Sequence, residues 1–296
     1  MSRKKCISRP KTGNSKTVVR VSPIMRIALA LVFIPVTTAQ QPDARDIMRR
    51  SLAASEHNWK IARNYTFLQR TEERQMDSAG QVKSKQVKTH DVTLLEGSPY
   101  FRLTERDDHP LPPAEEKKEQ EKLDKSIAGR LKETPAQRER RIHEYEQRRE
   151  RQRADVAEVP EAFDFQIVGE ERVEGRDTWV IDAMPRREYR PRARDTKILA
   201  HVKGRLWIDR QTFQWVKLDA EVIDAVSWGL FLVRLDPGAR IHFEQAHVND
   251  EVWLPSQISI KASARLGIFK RLRVEEDTTY RNYRKFQTDS HLVATH

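Results

Sequence analysis

Cysteine is nearly absent: Cys6 is the single thiol among 296 residues. One thiol excludes an internal disulfide, a Cys-x-x-Cys redox pair and a cysteine metal cage. Glycine is scarce as well, ten residues in all, and no G-x-S-x-G elbow, Walker loop or G-x-G-x-x-G turn occurs. With no H-E-x-x-H either, the motifs that announce a hydrolase, a nucleotide binder or a zinc enzyme are missing. His242 and His247 stand five apart on a predicted strand, so they point to opposite faces and do not share a metal. Asp107-Asp108-His109 reads as a solvated turn without a second ligand cluster. The expectation is a non-enzyme with no catalytic residues, no metal and no cofactor; an envelope hydrolase stays open as a third reading, since scattered carboxylates can assemble in space.

Long apolar runs are also lacking. The longest, Ile27 to Val36, is ten residues, half of what a bilayer-spanning helix needs. It follows a basic stretch ending at Arg26 and precedes small residues at Thr37-Thr38-Ala39, the pattern of a secretory signal, with Met25 as an alternative start. This predicts a signal peptide over 1–39 and one domain over 40–296, exported to a bacterial periplasm. The net charge of +11 then loses its meaning as a nucleic-acid footprint. Residues 1–39 hold eight cations and no carboxylate, and the remainder carries 47 Lys+Arg against 44 Asp+Glu. No nucleic acid is expected as a partner.

What is present is mostly period-two pattern. A helix is predicted over 43–62, where Ile47, Met48, Leu52 and Trp59 recur at helical steps. From Tyr65 strands take over: Tyr65 and Phe67 share a face before the turn at Asp77–Gly80, with further strands over 82–95 and 99–106. Residues 112–154 break the pattern, with 23 charged residues of 43 and nine apolar ones. Pro112-Pro113 open one helix and Thr134-Pro135-Ala136-Gln137 is a capping box that opens another, so the insert is a helical hairpin or strap. Its second half bears seven arginines against four glutamates over 136–154, which reads as a solvated face or as a transient contact with anionic membrane surface. The arginine-rich Pro185–Arg192 reads as an exposed loop. From Phe163 to Phe286 strands follow one another through short turns, most cleanly at 257–266, where Ile258, Ile260, Ala262, Ala264 and Leu266 alternate with polar residues. Short connections imply an antiparallel meander rather than a parallel α/β fold.

Two phrases carry a resemblance. Gly204-Arg205-Leu206-Trp207-Ile208-Asp209 runs into Phe213-Gln214-Trp215-Val216-Lys217-Leu218, and Val173-Glu174-Gly175-Arg176-Asp177-Thr178-Trp179-Val180-Ile181 precedes them. With the leading amphipathic helix and the meander, the chain resembles the LolA/LolB-type outer-membrane lipoprotein-sorting proteins. That resemblance implies an α+β, mainly β fold: a curled antiparallel sheet, or incomplete β-barrel, with helices on the concave face, here interrupted by the charged insert. It also implies a hollow that receives acyl chains. The insert is longer and more charged than a simple lid, and no cysteine follows the signal for lipid attachment.

Ser227–Val233 is apolar on both strand faces, so both faces need apolar material against them. Trp228, Phe231 and Val233 are the expected groove contacts, with Trp215 and Leu218 beside them. The function expected is a periplasmic carrier or chaperone for acyl chains of lipoproteins or lipids. The alternative is a non-enzymatic envelope sensor or assembly protein that holds a protein partner.

Overall fold

Asp43 accepts a hydrogen bond from the Arg45 N–H at 3.1 Å and caps α1 (Ala44–Ala62), where the apolar spacing predicts a helix. The computed structural model describes residues 42–228, 233–267 and 270–286. The expected signal segment with Cys6, and Phe231, lie outside the described residues.

After α1 come β1 (Tyr65–Met76), β2 (Val82–Leu95), β3 (Ser98–Arg106) and the two-residue β4 (His109–Pro110). The insert is a hairpin of two helices, α2 (Pro113–Leu131) and α3 (Pro135–Ala157). Thr134 and Gln137 satisfy each other's backbone N–H groups at 2.9 and 3.3 Å, the capping box that the sequence predicts. The short α4 (Val159–Ala162) leads into β5 (Phe163–Val173) and β6 (Arg176–Pro185). A 3-10 turn at Asp195–His201 precedes β7 (Val202–Asp209) and β8 (Trp215–Val222), followed by β9 (Val226–Trp228), β10 (Val233–Leu235), β11 (Arg240–Val248), β12 (Val252–Leu266) and β13 (Lys270–Lys285).

These strands pair in the order β4-β3-β2-β1-β13-β12-β11-β8-β7-β6-β5, every pair antiparallel, with β9 and β10 as a side hairpin on β12. Among the described residues the end strands β4 and β5 do not pair with each other, so the sheet is an unclosed barrel. The register carries one continuous face across it: Ile181, Leu206, Leu218, Phe243, Ile258, Thr278 and Thr71 are successive partners. Helices cover this face at both ends. The N-terminal half of α1 buries Ile47 and Met48 against Trp179, Ile181, Leu206 and Ile208, the main core. Its C-terminal end meets Tyr65, Val252 and Leu254 through Ile61 and Ala62, where Asn58 bonds both backbone groups of Trp253 at 2.7 and 2.8 Å. Between these anchors Phe243, Ile258 and Ile260 stay only half-buried.

The loop expected to be exposed at Pro185–Arg192 is so over most of its length but not at Tyr189. Tyr189 turns into the main core and donates its hydroxyl to the buried Glu158, which also accepts the Arg192 N–H at 3.2 Å. Burial and that carboxylate push the Tyr189 phenol up to about 12. An arginine-rich sequence hides one buried aromatic here, because a lone tyrosine among charges carries no period.

Candidate functional site

Where α3 crosses the sheet it does not seal against it. A cavity of about 730 Å³ lies between α3 and the inner face of β1, β2, β3 and β13. That is the size range of small-molecule sites. Its floor is aromatic and aliphatic: Phe67, Val92, Leu94, Phe101, Tyr280 and Tyr283. Phe67 is the centre of this floor, with the Tyr280 and Tyr283 ring centroids 5.5 and 5.6 Å away. Burial raises the hydroxyl pKa of Tyr280 and of Tyr283, so both remain neutral donors at any physiological pH. The Tyr283 hydroxyl is spent on the Pro255 carbonyl.

The roof and rim have the opposite character. Arg63, Arg130, Arg141, Arg148 and Arg149 line the cavity with Glu144 as the single carboxylate. Several of these arginines fasten the hairpin. Arg141 holds Glu133 at 2.6 Å and reaches the Ser98 hydroxyl and the Glu96 carbonyl at 2.8 and 3.0 Å. Arg130 bonds the carbonyls of Leu95 and Ser98, and Arg138 pairs with Glu96. All of them grip the β2–β3 turn, where Gly97 at φ +85° lets Ile142 of α3 come down: a Cβ there would sit 3.0 Å from the Ile142 Cδ1. At the other end of α3, Arg149 and Arg153 lie over the Trp59 ring of α1 at 4.6 and 4.3 Å, and Arg63 pairs with Glu146 at 3.2 Å. A second groove of about 840 Å³ runs between α1 and α3 beside this stack. The hairpin is therefore pinned at two ends with a hollow under its middle.

Several solved structures align with most of this chain. An outer membrane lipoprotein-sorting protein domain from Vibrio parahaemolyticus aligns with 83% of this chain and 95% of its own length, at 10% identity and a TM-score of 0.34. A LolA superfamily protein from Nitrosomonas europaea aligns with 83% of this chain and 94% of its own, at 10% identity and a TM-score of 0.30. A structure of the Pseudomonas aeruginosa MucA/MucB complex matches at 13% identity and a TM-score of 0.23, over 83% of this chain and all of the matched chain. No family model and no curated protein matches the sequence.

The residues singled out in the sequence lie elsewhere. Trp215 and Leu218 pack against the main core under α1. Trp228 packs with Val222, Val226 and Ala239 and donates its indole N–H to the Arg194 carbonyl at 3.3 Å. Val233 pairs with Trp228 across the β9–β10 hairpin and is 39% exposed. None of these four lines the cavity under α3. Among the described residues no group of three or more His, Cys, Asp or Glu side chains is placed to hold a metal ion, and no helix is long and apolar enough to cross a membrane.

The residues that do line it escape a motif search. Tyr65 and Phe67 read correctly as one face of a strand, but nothing in the sequence says that the charged insert folds back over them. A weak signal exists in the insert itself: Ile142 and Tyr145 are its only large apolar residues after Leu131, and both face the sheet side, Ile142 against Gly97 and Tyr145 in the cavity wall.

Proposed function

We propose that this protein is a periplasmic carrier that shelters an acyl chain of a lipid or lipoprotein in the cavity between α3 and the sheet. The observation that carries the reading is that Phe67, Leu94, Phe101, Tyr280 and Tyr283 line this floor and are not fully covered by the protein's own side chains. Each methylene that leaves water for such a surface contributes about 0.8 kcal/mol. A tail of a dozen carbons therefore binds without polar recognition, which suits a site built from rings and aliphatic groups. Export is supported by the basic stretch and short apolar run at the N-terminus. A roof held by side-chain contacts rather than by a packed core suits a cover that must yield to a bulky tail.

Mass spectrometry of lipids that co-purify from a native envelope, together with uptake of a fluorescent fatty acid, tests the reading. Leu94→Trp fills the floor and should weaken uptake about tenfold, the loss of roughly two buried methylenes, with the circular dichroism unchanged. Uptake that ignores this filling, or a protein that never carries or takes up a lipid, overturns the proposal.

A further inference from the structure

The cavity is built for more than a tail. Resting on the acyl-carrier reading, we propose that its ligand is an anionic amphiphile, whose phosphate or carboxylate head sits among the arginines of the helical hairpin while its chain lies on the aromatic floor. Five guanidinium groups and one carboxylate line the space, and the cations lie on the helical side and at the end of α1, away from the rings. The two chemistries are therefore segregated as they are in a single-headed lipid.

The arginines are not equally satisfied. Arg148 is exposed at the rim and forms no ion pair or hydrogen bond among the described residues. Arg130 is half-buried and bonds only carbonyl oxygens, those of Leu95 and Ser98, while the neighbouring carboxylate Glu133 is held by both Nε and Nη2 of Arg141. Burial, and then the neighbouring Arg141, pull the Arg130 pKa down, the mark of a cation short of negative charge. An arriving anion would relieve that deficit. The floor offers no counter-charge, since Tyr280 and Tyr283 stay neutral. Guanidinium forks donate paired N–H bonds to phosphate and carboxylate oxygens alike, so either head satisfies the same groups.

Competition at pH 8 against the neutral fluorescent probe N-phenylnaphthylamine tests this with four ligands of equal tail: dodecyl phosphate, dodecanoate, dodecanol and dodecyltrimethylammonium. The two anions should compete at least about tenfold better than dodecanol at low salt, with the advantage shrinking as ionic strength rises. Whichever anion wins tells whether a phosphate lipid or a free fatty acid is the better source. Arg148→Glu, on an exposed position, should cost the anions about tenfold more than it costs dodecanol. Equal binding of dodecanol, or preference for the ammonium, removes the anionic head and leaves the carrier standing. A protein that binds neither the probe nor any of the four removes the carrier reading itself.

Discussion

Asn282 sits in the left-handed region at φ +54°, and the floor of the cavity depends on it. Between Thr66 and Leu68 two residues of β13, Asn282 and Tyr283, stand opposite the single Phe67 of β1. The extra residue shifts the alternation, so Tyr280 and Tyr283 both reach the same Phe67 ring although they are three apart. Strict alternation would send them to opposite faces, which is why the sequence did not reveal this pair as a site. Asparagine tolerates the left-handed region and valine does not, at a cost of about 1–2 kcal/mol. Asn282→Val should therefore lower stability by about that amount in urea unfolding and weaken fatty-acid uptake. Asn282→Gly should preserve both. If valine costs nothing, the bulge does not set the aromatic floor.

At the scale of elements, the charged insert was legible in outline and not in placement. Proline at the first turn and the Thr134–Gln137 box fix where each helix begins, and these are local signals. Where the hairpin lies is set by long-range contacts: Arg130, Arg138 and Arg141 on the β2–β3 turn, and the Trp59 stack on α1. Such contacts join residues more than thirty positions apart and leave no periodicity in the sequence. The expected groove residues show the converse. Trp215 and Leu218 are apolar strand residues as predicted, but which stretch of the face α1 covers depends on the sheet order, and it covers theirs. Removing the grip should separate hairpin from sheet. Arg141→Met deletes the bonds to Glu133, Ser98 and Glu96, so amide exchange over 135–157 should quicken while protection of β6 to β8 is retained. Uniform loss of protection would mean that the hairpin belongs to the cooperative core. No change would mean that Arg141 does not hold it.

The whole molecule is a meander in which the first strand of the sheet meets the last, β1 against β13, and this one long-range pairing joins β4–β1 to the rest. The sequence shows the strands and their short turns but not that closure. Charged side chains pair on β1, on β6, in the turns and in the hairpin, and their titration sets how the whole fold responds to pH. Glu72, bonded by Arg70 and then by Lys85 and Arg74, is held down at about 2. Asp108 is lowered by Arg70, Glu133 by Arg141, Asp182 by Arg205 and Glu251 by Lys285. For each, the unfolded chain takes up protons at a higher pH than the folded one. Their contribution is therefore complete above about pH 4.5 and is lost as the pH falls toward 2. His90 and His247 are lowered by burial, so their contribution fades earlier, as the pH drops below about 6.5. Asp155, raised by burial, works the other way. At the alkaline end Tyr65, Tyr189, Tyr280 and Tyr283 are raised, first by burial, and their stabilisation disappears only above pH 10. Urea midpoints should accordingly be highest between about pH 7 and 10, decline gently to about pH 5 and steeply below it. Glu72→Gln should flatten the steepest part of that decline. A midpoint that rises on acidification would show that carboxyls kept protonated by burial, as Asp155 is, govern stability rather than the carboxylate–cation pairs.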